Sequence, residues 1–364
     1  MANLSCGIVG LPNVGKSTLF NALTKQMIAA NNFPFCTIDP NVGIVDVPDP
    51  RLFELSRISK AQKIIPATIS FVDIAGLVKG ASQGQGLGNQ FLTNIRDTDL
   101  IVHLVRCFDN DDIIHVEGKI DPIDDIEVIN LELILADLDM AEKIKIKLEK
   151  STKGQKERPA SLDALDKAIT QLNNSLPIRS LVLTPEEREG LKNFNFLTSK
   201  PIVYCANVSE KELPSMENEH VKKVREFAKK EGAPIVTICA KLEEDVAGLS
   251  PEEEKEYLES YGVKEKGLDS LIRASFATLG LITFYTAGEK EVRAWTVHKG
   301  ASAPEAAGKI HTDIQKGFIR AEVVSYDDFL TYNGRNGAKE AGKARIEGKI
   351  YTMQGDDIVL FFHN

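Results

Sequence analysis

The stretch Gly10-Leu11-Pro12-Asn13-Val14-Gly15-Lys16-Ser17 constrains this chain more than any other feature, because it lies between the apolar run Leu4 to Val9 and a helical pattern over Ser17 to Lys25. It fits G-x-x-x-x-G-K-[ST] in the strand-loop-helix setting that gives that pattern its meaning. Glycines let the backbone turn tightly, so that the N–H groups of Asn13, Val14, Gly15, Lys16, Ser17 and Thr18 can face phosphate oxygens at a helix N-terminus. Lys16 is then within reach of β- and γ-phosphates, and the Ser17 hydroxyl can bind Mg2+. A second run, Ile69 to Asp73, ends in Asp73-Ile74-Ala75-Gly76. An aspartate at a strand end can hold the magnesium, while the Gly76 N–H addresses the γ-phosphate. Thr37 lies between the two motifs, where a switch loop would add a further magnesium ligand.

The rest of the chain fits a phosphate loop of this kind. Apolar, β-branched runs recur at Leu4 to Val9, Ile69 to Asp73, Leu100 to Val105, Pro201 to Ala206 and Pro234 to Cys239, with helical or loop material between them. That alternation predicts an α/β fold with a doubly wound parallel sheet. Between the third and fourth runs, Ile126, Ile129, Leu133, Leu138, Ile144 and Leu148 fall at helical spacing, and after a break at Ser151 to Pro159 so do Leu162, Leu165, Ile169 and Leu172. Two such helices predict an antiparallel hairpin inserted into the nucleotide domain; two ordinary layer helices of the sheet are the alternative. A short third helix is predicted from Thr184, where Thr-Pro-Glu-Glu supplies a capping residue, a first-turn proline and a third-position glutamate. Beyond about Leu281 the texture changes to short strands and Gly-rich turns, ending in the strand-like Asp357 to Phe362. The expected division is a nucleotide domain over 1–125 and 200–280, a helical insertion over 126–199 and a compact α+β module over 281–364.

Leu77 to Gly88, Leu-Val-Lys-Gly-Ala-Ser-Gln-Gly-Gln-Gly-Leu-Gly, is rich enough in glycine that a fixed conformation costs substantial backbone entropy. A γ-phosphate can order such a segment and hydrolysis release it. Leu77 stands where Ras-like enzymes place the glutamine that orients the attacking water. An aliphatic side chain cannot polarise water, so slow intrinsic turnover is expected, with a catalytic group from elsewhere; His115 is the candidate within the nucleotide domain.

The base is read further along. GTP enzymes of this type end the relevant strand with N-K-x-D, whose aspartate accepts from guanine N1–H and the 2-amino group. Here the strand ends Asn207-Val208-Ser209-Glu210, so the lysine has become Val208 and the carboxylate stands one methylene further out. Adenine has no 2-amino group and its N1 is an acceptor, so a carboxylate placed for guanine would repel it. Displacing that carboxylate removes the main discrimination against ATP, while Asn207 can meet N7 and the 6-amino group. The residues favour ATP and leave GTP open. Cys239-Ala240-Lys241, after the next strand, offers a backbone edge for the base.

Composition narrows the setting. Asp plus Glu outnumber Lys plus Arg by 53 to 44, a net charge of -9, which weakens any reading of the whole surface as a binder of nucleic acid or anionic lipid. The five cysteines form no C-x-x-C pair and most lie inside apolar runs, as buried free thiols of a reducing compartment do. The first strand starts without a basic, signal-like segment, and no run approaches the roughly 18 apolar residues of a membrane span. A cytoplasmic location without membrane association is the expectation.

With these pieces assembled, the chain resembles the Obg-like ATPase (YchF) family of translation-factor-related P-loop proteins. The resemblance rests on Gly10 to Thr18, Asn32-Phe33-Pro34-Phe35-Cys36-Thr37, Asp73 to Ala81 and Asn207-Val208-Ser209-Glu210. It continues through Ala307-Gly308-Lys309-Ile310-His311-Thr312-Asp313 and Lys316-Gly317-Phe318-Ile319-Arg320, which look like that family's C-terminal TGS domain, a ubiquitin-like β-grasp module. It implies a helical coiled coil interrupting the nucleotide domain, hydrolysis of ATP to ADP and phosphate, and association with the ribosome, through the large subunit, or with RNA. Lys290, Arg293, Lys299, Lys309, Lys316 and Arg320 are candidate phosphate contacts for RNA, in a cleft between hairpin and C-terminal module; a solvated charged face is the competing reading.

Overall fold

The computed structural model describes residues 4–26, 41–74, 87–109, 120–153 and 159–364. Thr37, Gly76, Leu77 and His115 lie outside them. The chain divides into two compact units, residues 1–45 with 70–275, and residues 46–69 with 276–364.

In the first unit the strands run in the order β2 (Val42–Asp46), β4 (Thr68–Asp73), β1 (Ser5–Val9), β5 (Leu100–Arg106), β6 (Ile202–Asn207), β7 (Ile235–Ile238). The pairs β1–β4, β1–β5, β5–β6 and β6–β7 are all parallel. Every residue of β5 and β6 is buried, as expected of central strands covered on both faces. Because β4, β1, β5, β6 and β7 are parallel, their carboxyl ends share one edge, and the loops that follow them converge there.

The helices of this unit are α1 (Lys16–Gln26), α3 (Leu87–Arg96), α4 (Pro122–Ser151), α5 (Ala160–Asn173), α6 (Pro185–Lys192), α7 (Glu219–Glu231), α8 (Ala240–Val246), α9 (Pro251–Ser260) and α10 (Gly267–Thr278). α4 starts four residues before the expected Ile126, because the Asp121 side chain caps it by accepting from the Ile123 N–H and Pro122 fills the first turn. The two readings of this region turn out to share one helix. The early turns of α4 bury Ile126, Ile129 and Leu133 and meet β5 and α7. The later turns pair with α5, where Ile134 and Ala141 join Ala164, Leu165, Ala168 and Leu172 in a separate apolar cluster. The buried Asp137 carboxylate marks the changeover. It accepts the N–H groups of Leu197 (3.0 Å) and Thr198 (2.7 Å) and the Thr198 hydroxyl (2.7 Å), tying α4 to the approach to β6. At α6 both halves of the capping box form: Thr184 Oγ1 accepts from the Glu187 N–H, and Glu187 accepts from the Thr184 N–H.

The second unit holds a mixed sheet in the order β11 (Arg345–Glu347), β10 (Phe318–Ser325), β12 (Asp357–His363), β8 (Leu281–Ala287), β9 (Val292–His298), β3 (Ile64–Ile65). β8 and β9 form an antiparallel hairpin, β12 joins β8 in parallel, and β10 runs antiparallel to β12. Helix α11 (Ala303–Ile310) packs on this sheet through Ala303, Ala306 and Ala307, whose small side chains let it sit close to Phe284, Val297 and Ala321. This is the β-grasp arrangement expected for the C-terminal module.

Residues 46–69 correct the expected domain boundaries: they belong with this module and not with 1–125. The reason is long-range pairing. β3 pairs with β9 (Ile64 with Val292, Ile65 with Arg293), framed by the Gln62 N–H to Glu289 C=O and Val292 N–H to Lys63 C=O bonds. Helix α2 (Arg51–Ser59) buries Leu52 and Leu55 and meets β8 and β9. Arg51 grips Asp49 through Nε (2.8 Å) and Nη2 (3.1 Å) and donates to the Gly355 carbonyl, while the Tyr285 hydroxyl donates to Asp49.

Candidate nucleotide site

The phosphate loop leaves β1 at Gly10 and enters α1 at Lys16. It lies directly on β5: a Cβ on Gly10 would stand 2.7 Å from the Leu104 carbonyl oxygen. Gly15 is needed twice over. Its φ of 95° is in the left-handed region, and a Cβ there would fall 2.3 Å from Asn207 Nδ2. Lys16 opens α1 and points at the end of β4, where Nζ donates to the Ile74 carbonyl at 2.5 Å and lies 3.3 Å from Asp73 Oδ1. That approach is an ion pair without hydrogen-bonding alignment, since Asp73 Oδ1 is buried and makes no hydrogen bond. Ser17, the next residue of α1, is exposed, and Thr18 is half-buried. The Ser17 hydroxyl and the Asp73 carboxylate are hard-oxygen donors, the kind Mg2+ takes.

Asn207, at the carboxyl end of β6, is buried, and both ends of its amide are engaged by backbone. Nδ2 donates to the Val14 carbonyl (2.9 Å), and Oδ1 accepts the Ala240 N–H (3.0 Å). Asn207 thereby clamps the phosphate loop to the start of α8, and its amide keeps a second Nδ2 hydrogen and a second Oδ1 lone pair. Of the backbone edge Cys239-Ala240-Lys241, the Ala240 N–H is engaged by Asn207. The Val208 side chain is 2% exposed, and its N–H donates to the Ile238 carbonyl, which places it in the core. Glu210, by contrast, is exposed at the head of a short 3-10 turn (Glu210–Glu212), with Oε1 accepting from the Tyr261 hydroxyl at 3.3 Å.

Glu243, in the first turn of α8, was not singled out by sequence. Its Oε1 accepts the Gly267 N–H at 2.7 Å at the start of α10, and its Oε2 is buried without a partner. Burial pushes its carboxyl up to about 7, against the pull of the Gly267 and Leu268 N–H groups. Cys6, Cys107, Cys205 and Cys239 are buried free thiols. In the second unit, two of the six basic residues considered for RNA lie over aromatic rings, Arg293 on Trp295 (4.0 Å) and Arg320 on Phe362 (4.9 Å). Among the described residues no helix is long and apolar enough to cross a membrane.

A mainly parallel sheet with a glycine loop, a lysine and an aspartate brought together at its carboxyl edge defines a P-loop nucleotide-binding protein. The comparisons agree. A family model described as a 50S ribosome-binding GTPase matches residues 5–145, and the YchF GTPase C-terminal model, described as a protein of unknown function, matches residues 281–364. The chain is 57% identical over 360 residues to a Haemophilus influenzae protein and 53% identical over 364 residues to a Bacillus subtilis one, both named ribosome-binding ATPase YchF, with 99% of each chain covered. A solved structure titled as the Schizosaccharomyces pombe YchF GTPase is 37% identical, with a TM-score of 0.88 over 100% of this chain and 98% of that one. The chain belongs to the YchF family.

Proposed function

We propose that this chain is a cytoplasmic, ribosome-associated ATPase that hydrolyses ATP to ADP and phosphate and whose nucleotide state regulates docking to the translation machinery. The observation that carries the reading is Lys16 and Asp73 drawn together at 3.3 Å beside the exposed Ser17 hydroxyl. In this reading the loop N–H groups from Asn13 to Thr18 and Lys16 bind the phosphates, and Gly76 addresses the γ-phosphate. Ser17 and Asp73 hold Mg2+, with Thr37 as a further ligand. The ion supplies charge neutralisation at the β- and γ-oxygens. Leu77 offers no polar group to the attacking water, so basal turnover is slow and ribosome contact raises it; His115 is the residue proposed to act on that water.

The names of the relatives support ATP and the ribosome as partners, and the name of the matched nucleotide-domain model supports the large subunit as the docking face. The Lys16→Ala protein should lose Mg-nucleotide retention. Single-turnover hydrolysis of ATP and GTP side by side, with and without ribosomes, tests the whole reading. Faster ATP turnover with ribosomes is expected. A GTP preference would make it a GTPase of the Obg class. No turnover under any condition would leave a nucleotide-gated binding protein, the second reading that Leu77 favours.

A further inference from the structure

The carboxylate that marks this chain's departure from guanine readers is not left to find its own position. Glu210 begins a 3-10 turn that Ser209 and Glu212 pin, with Glu212 Oε2 accepting from the Ser209 N–H (2.9 Å) and hydroxyl (2.6 Å). The end of α9 meets this turn twice. The Tyr261 hydroxyl donates to Glu210 Oε1 at 3.3 Å. One residue on, Gly262 passes so close that a Cβ there would stand 3.3 Å from Pro214, in the loop that continues from the 3-10 turn. Tyr261 is itself steadied by Tyr257, whose ring lies 5.5 Å away and tilted by 46°. Its phenol is pushed up to about 12, by Tyr257 first and then Glu210, so at neutral pH it is a donor. Lys241, the nearest base-edge cation by sequence, is occupied by Asp245 at 2.6 Å, which leaves Tyr261 as the hydrogen-bonding partner seen on the Glu210 carboxylate.

We infer that Tyr261 is a specificity-positioning residue, which tethers Glu210 by one oxygen so that the carboxylate cannot turn both oxygens toward a purine. Reading guanine needs both, one for N1–H and one for the 2-amino group. With one oxygen held by Tyr261, guanine keeps unmatched donors and adenine avoids a carboxylate facing its N1 acceptor. Tyr261 lies 51 residues from Glu210 in the chain, and nothing near it in the sequence resembles a base-reading motif. The inference rests on the proposed ATP preference and adds the residue that enforces it.

The test is a set of equilibrium affinities for Mg-ATP and Mg-GTP on the full-length parent, Tyr261→Phe, Glu210→Ala and the Tyr261→Phe/Glu210→Ala double variant. The ATP-to-GTP affinity ratio is the readout, because a merely structural loss weakens both nucleotides alike. Tyr261→Phe is expected to lower the ratio about three- to tenfold, the worth of one partly exposed hydrogen bond to a carboxylate, mostly by tighter GTP binding. In the Glu210→Ala background, where no acceptor remains for the Tyr261 hydroxyl, the same substitution should leave the ratio unmoved. An unchanged ratio in Tyr261→Phe overturns the inference, and so does an equal fall in the double variant, which would mean that Tyr261 acts on something other than Glu210. A parent that already prefers GTP overturns the proposed ATP reading and the tether together; a parent that prefers ATP with an unresponsive Tyr261→Phe overturns the tether alone.

Discussion

Asn207 offers the sharpest separation between a side chain that reads the base and one that holds the site together. Its Nδ2 and Oδ1 satisfy two buried backbone groups, the Val14 carbonyl at 2.9 Å and the Ala240 N–H at 3.0 Å. Asn207→Ala strands both. Each buried polar group left without a partner costs about 1–3 kcal/mol, so the nucleotide-free protein should lose about 2–6 kcal/mol, a large part of the roughly 5–15 kcal/mol that holds a domain folded. Asn207→Asp keeps the acceptor for Ala240 but sets a carboxylate oxygen against the Val14 carbonyl where an N–H donated. Its folded-state pKa is therefore raised, and stability should be recovered as pH falls and the carboxyl regains a proton to donate. The assay is equilibrium urea unfolding without nucleotide, read at the midpoint with the slope held constant, alongside Mg-ATP affinity. A clamp predicts that stability and affinity fall together. Full nucleotide-free stability with affinity alone lost would refute the clamp and leave base reading as the role of Asn207.

Three further outcomes follow from the same structure. Gly15→Ala should abolish nucleotide binding and destabilise the nucleotide-free chain, because its Cβ falls 2.3 Å from Asn207 Nδ2 at a φ of 95°; a variant that binds Mg-ATP normally in calorimetry would show that the loop relaxes around the methyl. Glu243, held up to about 7 by burial, binds its proton more tightly folded than unfolded. Its contribution is complete below the unfolded value of 4.5 and declines by about 3 kcal/mol as pH rises to 7, so Glu243→Gln should flatten the fall in melting temperature over that window, and an unchanged slope would refute it. A fragment of 276–364 alone should unfold or aggregate, whereas the same fragment joined to 46–69 should show a cooperative melt by circular dichroism. Burial of Leu52 and Leu55 contributes about 3–6 kcal/mol, so equal stability of the two fragments would count against the assignment of α2 to this unit.

The sequence by itself determined the elements whose causes are local. Gly10 to Ser17 sits after a strand and before a helix because glycine freedom and a helix N-terminus are readable within a dozen residues, and Asp73 could be placed at a strand end for the same reason. The Thr184 capping box needed only four consecutive residues, and it formed as spelled. Tertiary structure decided whatever depended on residues far apart in the chain. The role of Asn207 turned on the Val14 carbonyl 193 residues away, the allegiance of 46–69 turned on pairing with Val292 and Arg293, and the partner of Glu210 was the tyrosine that follows α9. Local periodicity reports which way a side chain can point. Only the packed chain fixes what occupies the space it points into, since buried polar groups take whichever partner the fold brings within about 3 Å.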